Sequence, residues 1–160
     1  MNYNELWAEI QANPACAPYI TLSEPKIPAE IARANDQAIA DILSTGRTKV
    51  VSREVGDGAI ALALGTQAGP LFLYKLKKLA ATVLPDDATD AQIIPVAIAQ
   101  QAVESLAKVG FDVGNPDVRA GLSMFEGTLL TPEQIEAIKA LAVVPDVITA
   151  QDVAKALEGM

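Results

Sequence analysis

Histidine is absent from this 160-residue chain, and cysteine occurs once, as Cys16. Histidine titrates near neutral pH and is the commonest metal ligand. Its absence removes Ser-His-Asp and Cys-His nucleophile activation, His-containing zinc sites and any histidine pH switch. A lone Cys16 cannot close an internal disulfide, so the fold does not depend on oxidation. Aromatic residues make up 4% of the chain, a poor supply for stacking on bases. Long hydrophobic runs are missing too. The most apolar stretch, Ala59 to Leu64, meets Gly65 and then Gly69-Pro70, far short of the roughly 20 residues that span a bilayer. The start, Met1-Asn2-Tyr3-Asn4-Glu5, lacks the basic and apolar parts of a secretion signal, so cytosolic synthesis is expected.

What the chain has is aliphatic. Hydrophobic residues reach 51%, largely through alanine, and mean hydropathy is +0.26. Alanine has the highest helix propensity and lets helices approach closely, so a folded, helical chain is expected. The length fits one domain or two small ones, burying roughly two-thirds of the unfolded surface. The net charge of −8 is unevenly placed: residues 1–80 carry eight basic and eight acidic side chains, residues 81–160 four and twelve. Such an acidic balance argues against nucleic-acid binding, which needs lysine and arginine against phosphate. It fits a solubilising surface or a docking face for a basic partner.

Helix punctuation is clearest towards the C-terminus. Thr131-Pro132-Glu133-Gln134 predicts a capping box, followed by the stripe Ile135, Ile138, Leu141 and Ala142. Thr149 with Asp152 repeats the device ahead of Val153 and Leu157, and Asn115-Pro116-Asp117 opens a helix carrying Val118, Leu122 and Phe125. Gly110, Gly114 and Gly127 stand where helices should stop. Upstream, residues 90–109 predict a longer helix with the stripe Ile94, Ala97, Ile98, Ala102 and Leu106 and with Pro95 in its first turn. Further helices are expected over 4–11, over 35–43 ending near Gly46, over 53–64 capped by Ser52, and over 67–81. Tyr19 to Leu22 and Lys49 to Val51 have β-forming composition but are too short to make a sheet without partners. Four prolines between Pro14 and Pro28 predict an extended arm. The fold class is therefore read as all-α: seven or eight short helices in a bundle-like domain or two loosely divided subdomains. The expected divisions are an N-terminal helix and arm (1–34), a helical part with a basic segment (35–84) and an acidic helical part (85–160).

Candidate sites are few. Val55-Gly56-Asp57-Gly58-Ala59 has the start of a phosphate-cradling turn, but Ala61 stands where a third glycine belongs. Gly56 and Gly58 are read instead as points of close helix approach or bending. Asp86, Asp87 and Asp90 lack the glycine and terminal glutamate of a calcium loop and suit a helix N-terminus. Cys16, with no histidine to activate it, is read as a small apolar residue. No catalytic residue, metal ligand or cofactor is expected. Residues 47–80 hold six basic and two acidic side chains, the one basic concentration. Partner contacts are expected there, from Arg47, Lys49, Lys75, Lys77 and Lys78, with Tyr19 and Ile20 of the arm. Trp7 is either a core anchor or, if exposed, an interface residue.

Several segments taken in order carry a resemblance. They are Asn35 to Leu43, Gly46 to Gly58, Leu64-Gly65, Phe111-Asp112-Val113-Gly114, Leu130-Thr131 and Ala140 to Pro145. Together, across about residues 35–157, they resemble a group of small proteins encoded by tailed bacteriophages and prophages near virion structural genes. The resemblance implies a phage origin and a place in the virion after synthesis in the host cytoplasm, and it brings no catalytic residues with it. The expected function is a non-enzymatic structural or adaptor protein of capsid, neck or tail. Its expected partners are other phage structural proteins or copies of itself, not nucleic acid or membrane. The alternative is an accessory factor that binds and inhibits or redirects a host protein.

Overall fold

The structure is a computed structural model that describes residues 1–20 and 29–158. Among the described residues it is mostly helical, with eight α-helices and two small strand pairs. The chain divides into two compact units, Met1–Lys49 with Val144–Met160, and Val50–Val143.

The first unit is built from α1 (Tyr3–Ala12), α2 (Ala29–Ser44) and α8 (Ala150–Glu158). Asn2 caps α1 by accepting from the Asn4 N–H. Leu6 and Ile10, one turn apart, point into a core with Ile39, Ala40, Leu43, Ile148, Val153 and Ala156. The side chain of Ser44 fixes the approach to α8, since its hydroxyl donates to the Ile148 carbonyl and accepts from the Ile148 N–H at 2.9 Å. Thr149 and Asp152 form the expected reciprocal cap of α8. The expected extended arm is corrected over Pro14–Ile20. Here the chain folds into a turn and a 3-10 turn (Ala17–Tyr19), and Cys16 is fully buried in the core. Burying the apolar thiol draws the segment inward. The rest of the expected arm, with Thr21 and Leu22, lies outside the described residues. β1 (Thr48–Val50) pairs with β4 (Val143–Pro145).

The second unit holds β2 (Glu54–Val55), α3 (Asp57–Leu64), α4 (Ala68–Ala80), α5 (Asp90–Lys108), β3 (Phe111–Asp112), α6 (Pro116–Ser123) and α7 (Pro132–Ala140). Thirteen buried residues make its core, among them Ile60, Phe72, Leu76, Phe111, Leu122, Phe125, Ile135 and Ile138. The expected helix over 53–64 starts later, at Asp57, because residues 54–55 pair antiparallel with β3 in the register Glu54↔Asp112 and Val55↔Phe111. Ser52 does not cap it; its hydroxyl donates to Asp112 at 2.6 Å. Close helix approach occurs at Gly69, where a Cβ would overlap the Ala61 backbone. Gly56 and Gly58, expected to serve that purpose, have open space around them. Gly110 follows Val109, the C-cap of α5, with positive φ, as a stop position requires, whereas Gly127, also at positive φ, lies in the turn beyond α6, which ends at Ser123. Gly114 ends no helix and follows β3.

In α5 the buried face is Val96 and Ala99 with Val103 and Leu106 behind them, while Ile94 and Ala97 are exposed. Of the expected stripe, Ile98, Ala102 and Leu106 pack against this core, and only its first two positions, Ile94 and Ala97, fall on the outer side. Pro95 sits in the second turn, not the first. α2 begins six residues before the expected Asn35. The units also do not follow the expected divisions at 34/35 and 84/85. The polar stretch Pro85–Asp90 lies inside the second unit, joining α4 and α5, which pack more extensively than any other helix pair among the described residues. Among the described residues, no helix is long and apolar enough to cross a membrane.

Candidate protein–protein interface

The expected contact residues fall in both units, and the structure gives them different tasks. Arg47 is engaged within the first unit. Its Nε donates to Asp146 Oδ2 at 2.6 Å and its Nη1 to both oxygens of Glu9 at 2.6 Å, while its carbonyl accepts from the Asp146 N–H at 3.0 Å. Lys49 Nζ lies 3.0 Å from the other oxygen of Asp146. The hydrogen bonds from Arg47 and then Lys49 hold the Asp146 carboxyl below its usual range, and the same bond with Asp146 raises the Arg47 guanidinium. These groups line a polar recess of about 370 Å³ with Met1, Asn2, Glu5 and Leu6. Both cations are thus neutralised by the unit they belong to. Trp7 is half-buried and packs on the core with Ile20, as an anchor does, whereas Tyr19 is at the surface. Burial pushes the Cys16 thiol up, with Glu9 adding to it, and away from nucleophilic character.

In the second unit α4 turns one face to the core through Gly69, Phe72 and Leu76, and its opposite face is exposed among the described residues. Leu71, Tyr74, Lys75 and Lys78 follow the helical i, i+3, i+4, i+7 spacing on that outer face. Leu71 is 52% and Tyr74 65% exposed. Lys77 reaches Asp57 at 3.3 Å, but neither Lys75 nor Lys78 has a carboxylate within 4.0 Å among the described residues. Beside this face runs a groove of about 380 Å³, walled by Ala68, Leu71, Phe72 and Lys75 and by the loop Glu126–Thr131. The loop is held by its own backbone: the Phe125 carbonyl accepts from the N–H groups of Thr128, Leu129 and Leu130.

A polar knot that the sequence reading did not foresee gathers around Asp112, taking in Ser52 and Gly114, which were expected to cap and to end helices. The Asp112 carboxylate accepts from the Ser52 hydroxyl, from the Arg53 N–H at 2.7 Å and from the Gly114 N–H at 2.8 Å. The Ser52 bond foremost, then the Arg53 N–H, holds this carboxyl below its usual range. Arg53 reaches the Leu141 carbonyl at 2.8 Å, and Arg119 donates to the carbonyls of Val113 and Lys139. The signal for part of this was present: Asp-x-Gly ahead of Asn-Pro is an Asx-turn, with Asp112 accepting from the residue two further on. The segments Gly46–Gly58 and Phe111–Gly114 thus meet through backbone and carboxylate contacts that build the fold. Asp86, Asp87 and Asp90 are exposed, and no group of three potential metal ligands occurs among the described residues. An apolar trough of about 330 Å³, lined by Ile98, Ala102, Phe111, Leu122 and Met124, runs between α5 and α6. Comparison with protein-family models, with curated proteins and with solved structures finds no match to this chain.

Proposed function

We propose that this chain is a non-enzymatic structural or adaptor protein of a bacteriophage virion that works through protein–protein contacts. The observation that supports it best is the outer face of α4, where Leu71 and Tyr74 stand exposed beside Lys75 and Lys78, two cations without a partner among the described residues. Exposed aromatic and aliphatic groups next to unneutralised charge are the composition of a docking face. The other concentrations of charge, around Arg47 and Asp112, are consumed in holding backbone segments together. The phage setting rests on the resemblance carried by residues 35–157.

Quantitative mass spectrometry of gradient-banded particles of the encoding phage tests this reading. A fixed copy number per particle is the expected result, and the number separates a capsid lattice from a neck or tail ring. Absence from particles together with abundance in infected cells would overturn it and leave the host-directed accessory factor.

A further inference from the structure

The second unit itself carries a surface whose chemistry matches the α4 face. Between α4 and α5 the chain turns through Pro85–Ala88, closed by the Ala88 N–H on the Pro85 carbonyl. This tip exposes Val83 (93%) and, on the first turns of α5, Ile93 and Ile94. Asp86, Asp87 and Asp90 stand among them, exposed and without an ion-pair partner among the described residues. The tip is thus apolar with three negative charges, and the α4 face is apolar with two positive ones. Both belong to one compact unit, so their mutual placement is fixed.

Resting on the structural reading above, we propose that the acidic tip of one copy docks on the α4 face of a second copy. Val83, Ile93 and Ile94 cover Leu71 and Tyr74, and the tip carboxylates approach Lys75 and Lys78. The apolar side chains supply the binding energy. The charges, exposed and screened by salt, set orientation and exclude the reverse pairing of like faces. The contact joins unlike surfaces, so it repeats from copy to copy until rotation closes it into a ring or a reciprocal pair. A patch of this size belongs with low-affinity interfaces, below about 1,200 Å² in total, which hold through repetition in an assembly.

Sedimentation velocity on the purified full chain, from micromolar to millimolar concentration, reads the proposal directly. Reversible self-association is expected, weakening about tenfold between about 50 and about 500 mM salt. The double variants Lys75→Glu/Lys78→Glu and Asp86→Lys/Asp87→Lys should each be monomeric, because each sets like charges face to face. Mixing the two should restore association at a 1:1 ratio, since every tip then meets a face of opposite sign. All four positions are exposed, and circular dichroism checks that the variants fold. Val83→Ser, at a site with almost nothing around it, should weaken association several-fold without touching charge. A wild-type chain that stays monomeric at millimolar concentration, or association indifferent to the reversals, or a mixture that fails to associate, overturns the proposal. These results are separable from the particle test: a monomeric chain found in virions sinks only the self-contact. A self-associating chain absent from virions sinks only the virion assignment.

Discussion

Gly110 and Gly114 bracket β3, and neither position has room for a side chain. A Cβ at Gly110 would overlap the Val55 carbonyl, and φ there is +97°, a region that L side chains rarely adopt. At Gly114 a Cβ would overlap the Val51 carbonyl oxygen. In both cases the obstacle is backbone in a strand or its extension, which cannot swing aside as a side-chain tip can. Gly121 offers the contrast. It lies within α6, and an added Cβ would meet only Ile98 Cγ2 at 3.8 Å, an ordinary contact. Gly110→Ala and Gly114→Ala should therefore each cost about 2–4 kcal/mol, from strain and overpacking. Gly121→Ala should add about 0.5–1 kcal/mol, because alanine loses less backbone entropy in a helix. Urea denaturation of the three variants checks the signs, and a destabilised Gly121→Ala would contradict the packing described for α6.

The helices were legible where their ends are made locally. At α7 the Thr131 N–H donates to Gln134 Oε1 at 2.9 Å, and Thr131 Oγ1 accepts from the Gln134 N–H at 3.4 Å. All the groups involved lie within four residues, so the pattern can be read without knowing the fold. Thr131→Ala should lower stability by about 1 kcal/mol. With Gln134→Ala added, the combined loss should fall short of the sum, since both residues serve one device. Full additivity in a double-mutant cycle by urea denaturation would refute the reciprocal cap. The strands were not legible for the converse reason. β2 is two residues long, and its partner Phe111–Asp112 lies 56 or more residues away, so local composition carries no trace of the pairing. Ser52 shows the resulting error: a serine ahead of an apolar run looks like an N-cap, until a carboxylate from a distant strand takes the hydroxyl. The interface residues divide likewise. The helical spacing placed Lys75 and Lys78 on one face of α4, but nothing local revealed that Glu9 and Asp146 neutralise Arg47 and Lys49.

The division of the whole molecule is the least local property of all, and the polar break at Pro85–Asp90 misled because a break in pattern marks a turn as readily as a boundary. The true division separates a contiguous unit from a discontinuous one, and the two should differ sharply when isolated. Residues 50–143 contain their entire core, from Val55 to Ala142. They also contain both ends of the main polar links: Asp112 with Ser52 and Arg53, Arg53 with Leu141, Arg119 with Val113 and Lys139. A segment of that length is large enough to bury a core of its own. Expressed alone, it should keep its helical circular dichroism and unfold cooperatively in urea. Its m-value should be about six-tenths of the whole chain's, in proportion to the surface exposed. Residues 1–49 are in the opposite position. Their core lacks Ile148, Val153 and Ala156, and the Tyr3 ring loses Lys155, whose ammonium stands 5.7 Å from its centre. Removing three of the nine buried groups that this core holds among the described residues exposes the inner sides of α1 and α2. That loss, at roughly 1.5–3 kcal/mol for each fully buried large side chain, rivals the stability of a small unit. The 1–49 fragment should therefore be largely unfolded alone and gain helix when a peptide spanning 144–160 is added. A 50–143 fragment that melts without cooperativity, or a 1–49 fragment folded without the peptide, would show that the two cores do not form the independent units that the contacts define.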